Sequence, residues 1–158
     1  FRENSLGDYR SLMALPWHRA VILETLILYP AAWMISRIAT HDVLVGECLV
    51  PAGARVWLSP WVSHRHNGYF SEALEFRPER WVEANGSLPK GTYFPFGSGS
   101  RICIGERFSK MNAALLLYRL CSTAGILSVS GFDKSAASVS IIANPSRDAR
   151  LSIRSREG

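Results

Sequence analysis

Cysteine is scarce in this sequence, and the three present, Cys48, Cys103 and Cys121, form no C-x-x-C pair and leave one unpaired under any pairing. A disulfide scaffold is therefore excluded. Long hydrophobic runs are lacking as well. The most apolar stretch, 20–39, is interrupted by Glu24, Pro30 and Arg37, so no run of about 18 uncharged apolar residues is there to span a bilayer. The chain starts at Phe1 with no methionine, basic n-region or signal-type segment, and we expect a chain that has lost its beginning. Internal repeats and low-complexity tracts are missing too. Acidic residues are the minority charge, 13 against 18 Lys+Arg, for a net charge of +5. That balance suits an acidic protein partner, an anionic lipid or a nucleic acid, and does not by itself choose among them.

What is present points to a folded chain. With 158 residues, 47% hydrophobic and 20% charged, it can bury roughly two thirds of its unfolded surface, which excludes intrinsic disorder as the main reading. Asp8 can cap a short helix through Ala14, and Pro16 opens a second over 16–28, since proline has no N–H to leave unsatisfied in a first turn. Apolar residues cover most of its circumference, the mark of a buried helix. Val43, Val45, Val50 and Val56, punctuated by Gly46 and by Pro51-Ala52-Gly53, predict short strands with tight turns. Ser59-Pro60 offers a cap and first turn for a short helix to about His64. The segment 67–102 has few periodic signals. Phe108, Met111, Leu115, Leu116 and Leu120 predict a long helix to about Ala124, followed by a strand pair near 138–142 and 150–153.

The most specific segment is FGSGSRICIG, Phe96 to Gly105, which sets a lone cysteine behind a Gly-rich loop and at the start of a helix. The N–H groups of a first helical turn and the positive end of the helix dipole both favour a thiolate there, and Arg101 adds a positive charge nearby. Gly97 and Gly99 carry no side chain to block a large flat ligand from the backbone. Other cysteines lack such a context, so Cys48 and Cys121 are expected to be core thiols. His64-x-His66 has metal-ligand character but no third ligand nearby in sequence. Trp17, Trp57 and Trp81 sit in core-like patterns rather than interleaved with basic residues, which argues against nucleic-acid binding.

Phe96, Gly99, Arg101, Cys103 and Gly105 fill every fixed position of the F-x-x-G-x-R-x-C-x-G haem-binding signature, and by it the chain resembles the cytochrome P-450 superfamily. FRPERW, with Phe76, Pro78, Glu79, Arg80 and Trp81, resembles the family's F-x-P-E-R-[FW] element. LPWHRAVILETLILYP, from Leu15 to Pro30, resembles its E-x-x-R helix, and the order and spacing of the three agree. The resemblance implies a mainly α fold with small β-sheets (α+β), residues 1–158 forming the C-terminal part of a single catalytic domain whose N-terminal part is absent. It implies a haem-thiolate monooxygenase that inserts one oxygen atom of dioxygen into a hydrophobic substrate. Cys103 would be the axial thiolate of haem b iron. Phe96 would pack beside the sulfur, with the N–H groups of Ile104 and Gly105 bonded to it, and Gly99 would admit the haem. Arg101, and more weakly Arg37, would meet haem propionates. Ala32, Trp33, Met34 and Ile35, after the E-x-x-R helix, and Ile141 and Ile142 near the C-terminal strand turn would contact substrate. Electrons would come from NAD(P)H through an acidic partner, a ferredoxin or flavoprotein reductase, steered to the face that carries Arg107 and Lys110. Nucleic acid is not an expected partner. The expected location is cytoplasmic, with a membrane anchor in the absent N-terminal part left open, and the run 31–81 looks most like bacterial terpenoid-oxidising members.

One family motif is broken. Glu24 is present, but the residue three further on is Ile27 rather than arginine, one turn along the same face. On that reading Glu24 can pair only with Arg80, and Ile27→Arg should raise haem occupancy. Two alternatives stand beside the monooxygenase: a haem-thiolate isomerase or dehydratase that needs no reductant, and a non-catalytic truncated or decayed relative.

Overall fold

The computed structural model describes residues 9–83, 88, 91–131, 138–139, 143–144 and 149–155. Its organising element is α2 (Pro16–Leu28), which packs against α1 (Tyr9–Ala14) on one side and against the later helices on others. Pro16 occupies the first turn of α2, as expected of a residue without an N–H. Asp8, the expected cap of α1, lies outside the described residues.

Two apolar clusters share α2. Ala20, Leu23, Ile27 and Leu28 meet Phe70, Ala73 and Trp81 in one. Ile22 joins Leu12 of α1 and Ala114 of the long helix α5 (Glu106–Thr123) in the other. A helix with apolar residues around most of its circumference thus feeds two cores at once. His18 adds a polar link on the second side, its Nε2 2.8 Å from the Ala114 carbonyl oxygen.

After α2 the chain forms two antiparallel ribbons. The first pairs β1 (Ile35–Ile38) with β4 (Arg55–Leu58), in the register Ile35 to Leu58. The second is the hairpin of β2 (Val43–Val45) and β3 (Cys48–Val50), turned at Gly46 with φ +60°. Ser59 caps α3 (Pro60–Ser63) by accepting the Val62 N–H, as the Ser-Pro pair predicts. The described residues of the unpatterned segment that follows include the short helix α4 (Glu79–Glu83), packed against α2, and a 3-10 turn over Gly99–Arg101.

The C-terminal strands correct an expectation. Segments 138–142 and 150–153 were expected to pair, but β6 (Ser138–Val139) pairs with β7 (Ala143–Asn144), and β8 (Arg150–Ser155) pairs with β5 (Ala124–Ser130). β5 and β8 are the long strands of this region, 7 and 6 residues, and pairing them offers more ladder hydrogen bonds than pairing either with a two-residue strand. The result is a mixed architecture of helices and small antiparallel ribbons.

Cys48 and Cys121, expected as core thiols, are both exposed. Every residue of the β2–β3 hairpin except Val50 faces solvent, and Cys121 lies in the last turn of α5, where most positions are exposed. Of the three tryptophans expected in the core, only Trp81 is buried. Trp17 and Trp57 are more than half exposed, because helix-start and ribbon positions give a large ring nothing to pack under.

Candidate functional site

The Phe94–Gly105 loop is shaped by local backbone bonds. The Gly97 N–H donates to the Phe94 carbonyl at 3.0 Å, the Ile102 N–H to Gly99 at 3.1 Å, and the Cys103 N–H to Phe96 at 2.9 Å. The loop closes twice on itself, and closure requires left-handed backbone at Gly97 (φ +77°) and Gly99 (φ +72°). A methyl group at Gly99 would meet nothing within 4 Å, so the space above it is open. Gly105 forms the N-cap of α5, which places Cys103 two residues before that cap. Cys103 is exposed and free, and a methyl group at Gly105 would lie 3.7 Å from its Sγ. The sulfur is thus turned toward the helix start.

The surroundings suit a flat, partly apolar, partly anionic ligand. Ile102 and Ile104 project outward, Ile104 completely, and Arg101 is exposed on the same turn. Arg37 reaches this turn from β1, its Nη2 3.5 Å from the Arg101 carbonyl oxygen and its Nη1 donating to Ser36. Two arginines 64 residues apart therefore meet at one edge of the loop. Among the described residues no three His, Cys, Asp or Glu groups cluster to hold a metal ion. A lone exposed thiol suits a metal that brings its other ligands with it, as haem iron does. With open space over Gly99, an unpaired thiol and cations at the rim, the residues fit haem.

Phe96 is half-buried, with Lys110 Nζ 5.6 Å from its ring centroid. Lys110 is itself mostly covered and ion-paired with Glu106, one turn back on α5. Of the two cations expected on the face that meets an acidic partner, Arg107 is exposed and Lys110 is not. Ala32, Trp33, Met34 and Ile35 are all half-buried in the segment leading into β1. Ser59 Oγ donates to the Trp33 carbonyl at 2.8 Å. Ile35 Cδ1 lies 3.6 Å from where a methyl group at Gly97 would stand, so β1 begins directly beside the loop. Ile141 and Ile142 lie outside the described residues.

Glu24 is fully buried on α2. Arg80 Nε donates to it at 3.2 Å, the Arg77 backbone N–H at 2.9 Å and the Trp81 indole N–H at 2.8 Å. Arg80 is its ion-pair partner among the described residues, as expected, and two neutral N–H donors add to that pair. Arg80 also donates to the Ser71 and Glu72 carbonyls, which fastens the segment before α4 to α2. Ile27, at the position of that arginine, is fully buried among apolar side chains.

Sequence reasoning weighed His64 only as half of a His-x-His pair and did not foresee its place beside the loop. It is fully buried, stacks on Tyr93 at 5.5 Å and meets Phe70 and Phe94 edge-on. Its Nε2 accepts the Phe94 N–H at 3.1 Å, which anchors the base of the loop. Burial pushes its pKa down to about 4, Arg65 pushes the same way, and the Leu26 and Ile27 carbonyls oppose in part. The imidazole is thus neutral, and the Phe94 N–H, not a metal shared with His66, takes its Nε2 lone pair. Burial also raises the Tyr93 phenol. The signal available in sequence was the aromatic run Tyr93-Phe94 ahead of the glycine loop, which has no periodicity to read.

Comparison with known proteins follows the same outline. Residues 2–123 match the cytochrome P450 family. Cytochrome P450 3A12 of Canis lupus familiaris is 38% identical over 121 residues, 76% of this chain and 24% of that protein. Cytochrome P450 3A6 of Oryctolagus cuniculus is 37% identical over 119 residues, 75% of this chain and 24% of the relative. Cytochrome P450 3A9 of Rattus norvegicus is 36% identical over 115 residues, 72% and 23% respectively. The chain belongs to the cytochrome P450 family, and its matched part spans about a quarter of the length of these relatives. No helix among the described residues is long and apolar enough to cross a membrane.

Proposed function

We propose that the chain forms the haem-cradling part of a haem-thiolate monooxygenase that inserts one oxygen atom of dioxygen into a hydrophobic organic substrate. The observation that carries this reading is the exposed Cys103 on a loop bent by two left-handed glycines at the start of α5. Haem b, when bound, supplies the iron redox chemistry that activates dioxygen, and a thiolate ligand donates electron density to it. In this reading Cys103 is that ligand, and the Ile104 and Gly105 N–H groups restrain its donor strength. Gly97 and Gly99 let the backbone approach the macrocycle, Phe96 shields the sulfur side, and Arg101 and Arg37 bind the propionates. Ala32, Trp33, Met34 and Ile35 form part of the substrate wall, supported by the contact of Ile35 with the loop. Ile141 and Ile142 enter that wall on the family resemblance alone. Electrons reach the site from NAD(P)H through an acidic ferredoxin or flavoprotein reductase, for which exposed Arg107 is the steering charge.

The test is Cys103→Ser in the full-length protein. Loss of the thiolate-type carbon monoxide spectrum of the reduced haem protein is expected, and an unchanged spectrum would overturn the assignment. Turnover of substrate without any reductant would favour an isomerase or dehydratase instead. Ile27 gives a specific reason to measure the haem-to-protein ratio of the wild type as well: a value near zero would identify a non-catalytic relative. Cytoplasmic location completes the proposal, and recovery of the full-length protein in the membrane fraction would refute it.

A further inference from the structure

Beside the Glu24 carboxylate and the backbone bonds of the loop, one buried titratable group meets the loop from the core. His64 sits at the C-terminal end of α3, 39 positions before Cys103, and no part of it is exposed. Its Nε2 accepts the N–H of Phe94 at 3.1 Å. From that point three short links lead to the cysteine: the Phe94 carbonyl accepts the Gly97 N–H, Gly99 accepts the Ile102 N–H, and Phe96 accepts the Cys103 N–H. The ring cannot swing away, because Phe70, Tyr93 and Phe94 enclose it at centroid distances of 5.3–5.8 Å. Tyr93 in turn meets Trp81 edge-on at 4.9 Å, and Trp81 donates to Glu24.

We propose that His64 is a positioning residue for Cys103: by accepting the Phe94 N–H it fixes where the glycine loop leaves the core, and so where the sulfur stands. Only a neutral imidazole with its proton on Nδ1 can do this, since a protonated Nε2 is a donor facing a donor. The depressed pKa keeps that form through the neutral range, with Arg65 the charged neighbour and Tyr93 the titratable one. The meaning of the loop as a haem cradle rests on the function proposed above; the tether from His64 to the loop does not.

Three variants in the full-length protein separate the possibilities. Glutamine can offer its amide oxygen near the position of Nε2, asparagine falls short of it, and phenylalanine keeps the ring but has no acceptor. Amide hydrogen exchange of residues 94–103 in the haem-free protein should be about tenfold faster in His64→Asn and His64→Phe. In His64→Gln it should stay near wild type, and exchange in α2 should change little in any of them. In the haem-loaded protein the same two variants should lose part of the thiolate-type carbon monoxide signal that His64→Gln retains. Equal loop exchange in all three variants, or equal acceleration in α2 and the loop, would overturn the proposal. If His64→Phe does not fold, the Asn and Gln pair still decides. Should Cys103→Ser leave the spectrum unchanged, the haem reading fails while the exchange data still judge the tether.

Discussion

Replacing Trp81 with phenylalanine tests the account of how this chain manages without the motif arginine. The indole N–H donates to Glu24 Oε2 at 2.8 Å, with Glu24 fully buried and Trp81 6% exposed. A hydrogen bond to a charged group is worth about 1.5–3 kcal/mol. The smaller ring leaves a cavity that costs on the order of 24 cal/mol per Å³, about 1 kcal/mol more at most. Trp81→Phe should therefore destabilise by about 2–4 kcal/mol, of which the polar part is isolated by a double-mutant cycle with Glu24→Leu. Glu24→Leu alone strands the Arg80 charge and two N–H donors, at about 3–5 kcal/mol. In the double variant the indole donor is gone as well, so the coupling should come out near 1.5–3 kcal/mol. The assay is urea denaturation of the full-length protein followed by far-ultraviolet circular dichroism. A coupling below about 0.5 kcal/mol would refute the claim that the Trp81 indole is a strong partner of Glu24.

Ile27→Arg, expected from sequence to raise haem occupancy, should lower the urea midpoint, since it forces a longer charged chain into a closed apolar cluster at about 1–3 kcal/mol from overpacking alone; an unchanged or raised midpoint would show that the cluster accommodates the charge. His64 predicts acid sensitivity. Its folded pKa of about 4 lies below the ordinary 6.5, so the unfolded chain takes up the proton first as pH falls. The stabilisation is complete above pH 6.5 and disappears toward pH 4, about 3 kcal/mol in all. A pH series of urea midpoints should show this slope in wild type, and the same slope in His64→Gln would rule the histidine out as its source. Gly99→Ala should cost about 1–2 kcal/mol through its left-handed φ alone, because the added methyl meets no neighbour; a neutral midpoint would show that the turn relaxes.

How far the site can be read without a structure depends on whether its parts are contiguous. Phe96 to Gly105 could be recognised because one short run supplies the glycines, the arginine and the cysteine, and each does its work within a few bonds of its neighbours. Pro16 and Ser59-Pro60 were readable for the same reason: caps act within one turn. Cys48, Trp17 and Trp57 were misplaced because burial depends on what else arrives at a position, which hydrophobicity alone does not state. The C-terminal strand pairing was misassigned because several short segments of similar pattern compete for the same partner.

The sequence by itself determined the family, the cysteine proposed as the haem ligand and the helical and ribbon segments around it, since those rest on local spacing and backbone preference. Only the tertiary structure decided that Glu24 takes Trp81 and the Arg77 N–H as partners, that Arg37 meets Arg101, and that His64 grips Phe94. Each of these joins residues at least 30 positions apart, and for buried Glu24 and His64 the reason is physical: a buried donor or acceptor must be satisfied by whatever group packing brings within about 3 Å. That neighbour is set by how the elements pack, and no spacing along the chain records it.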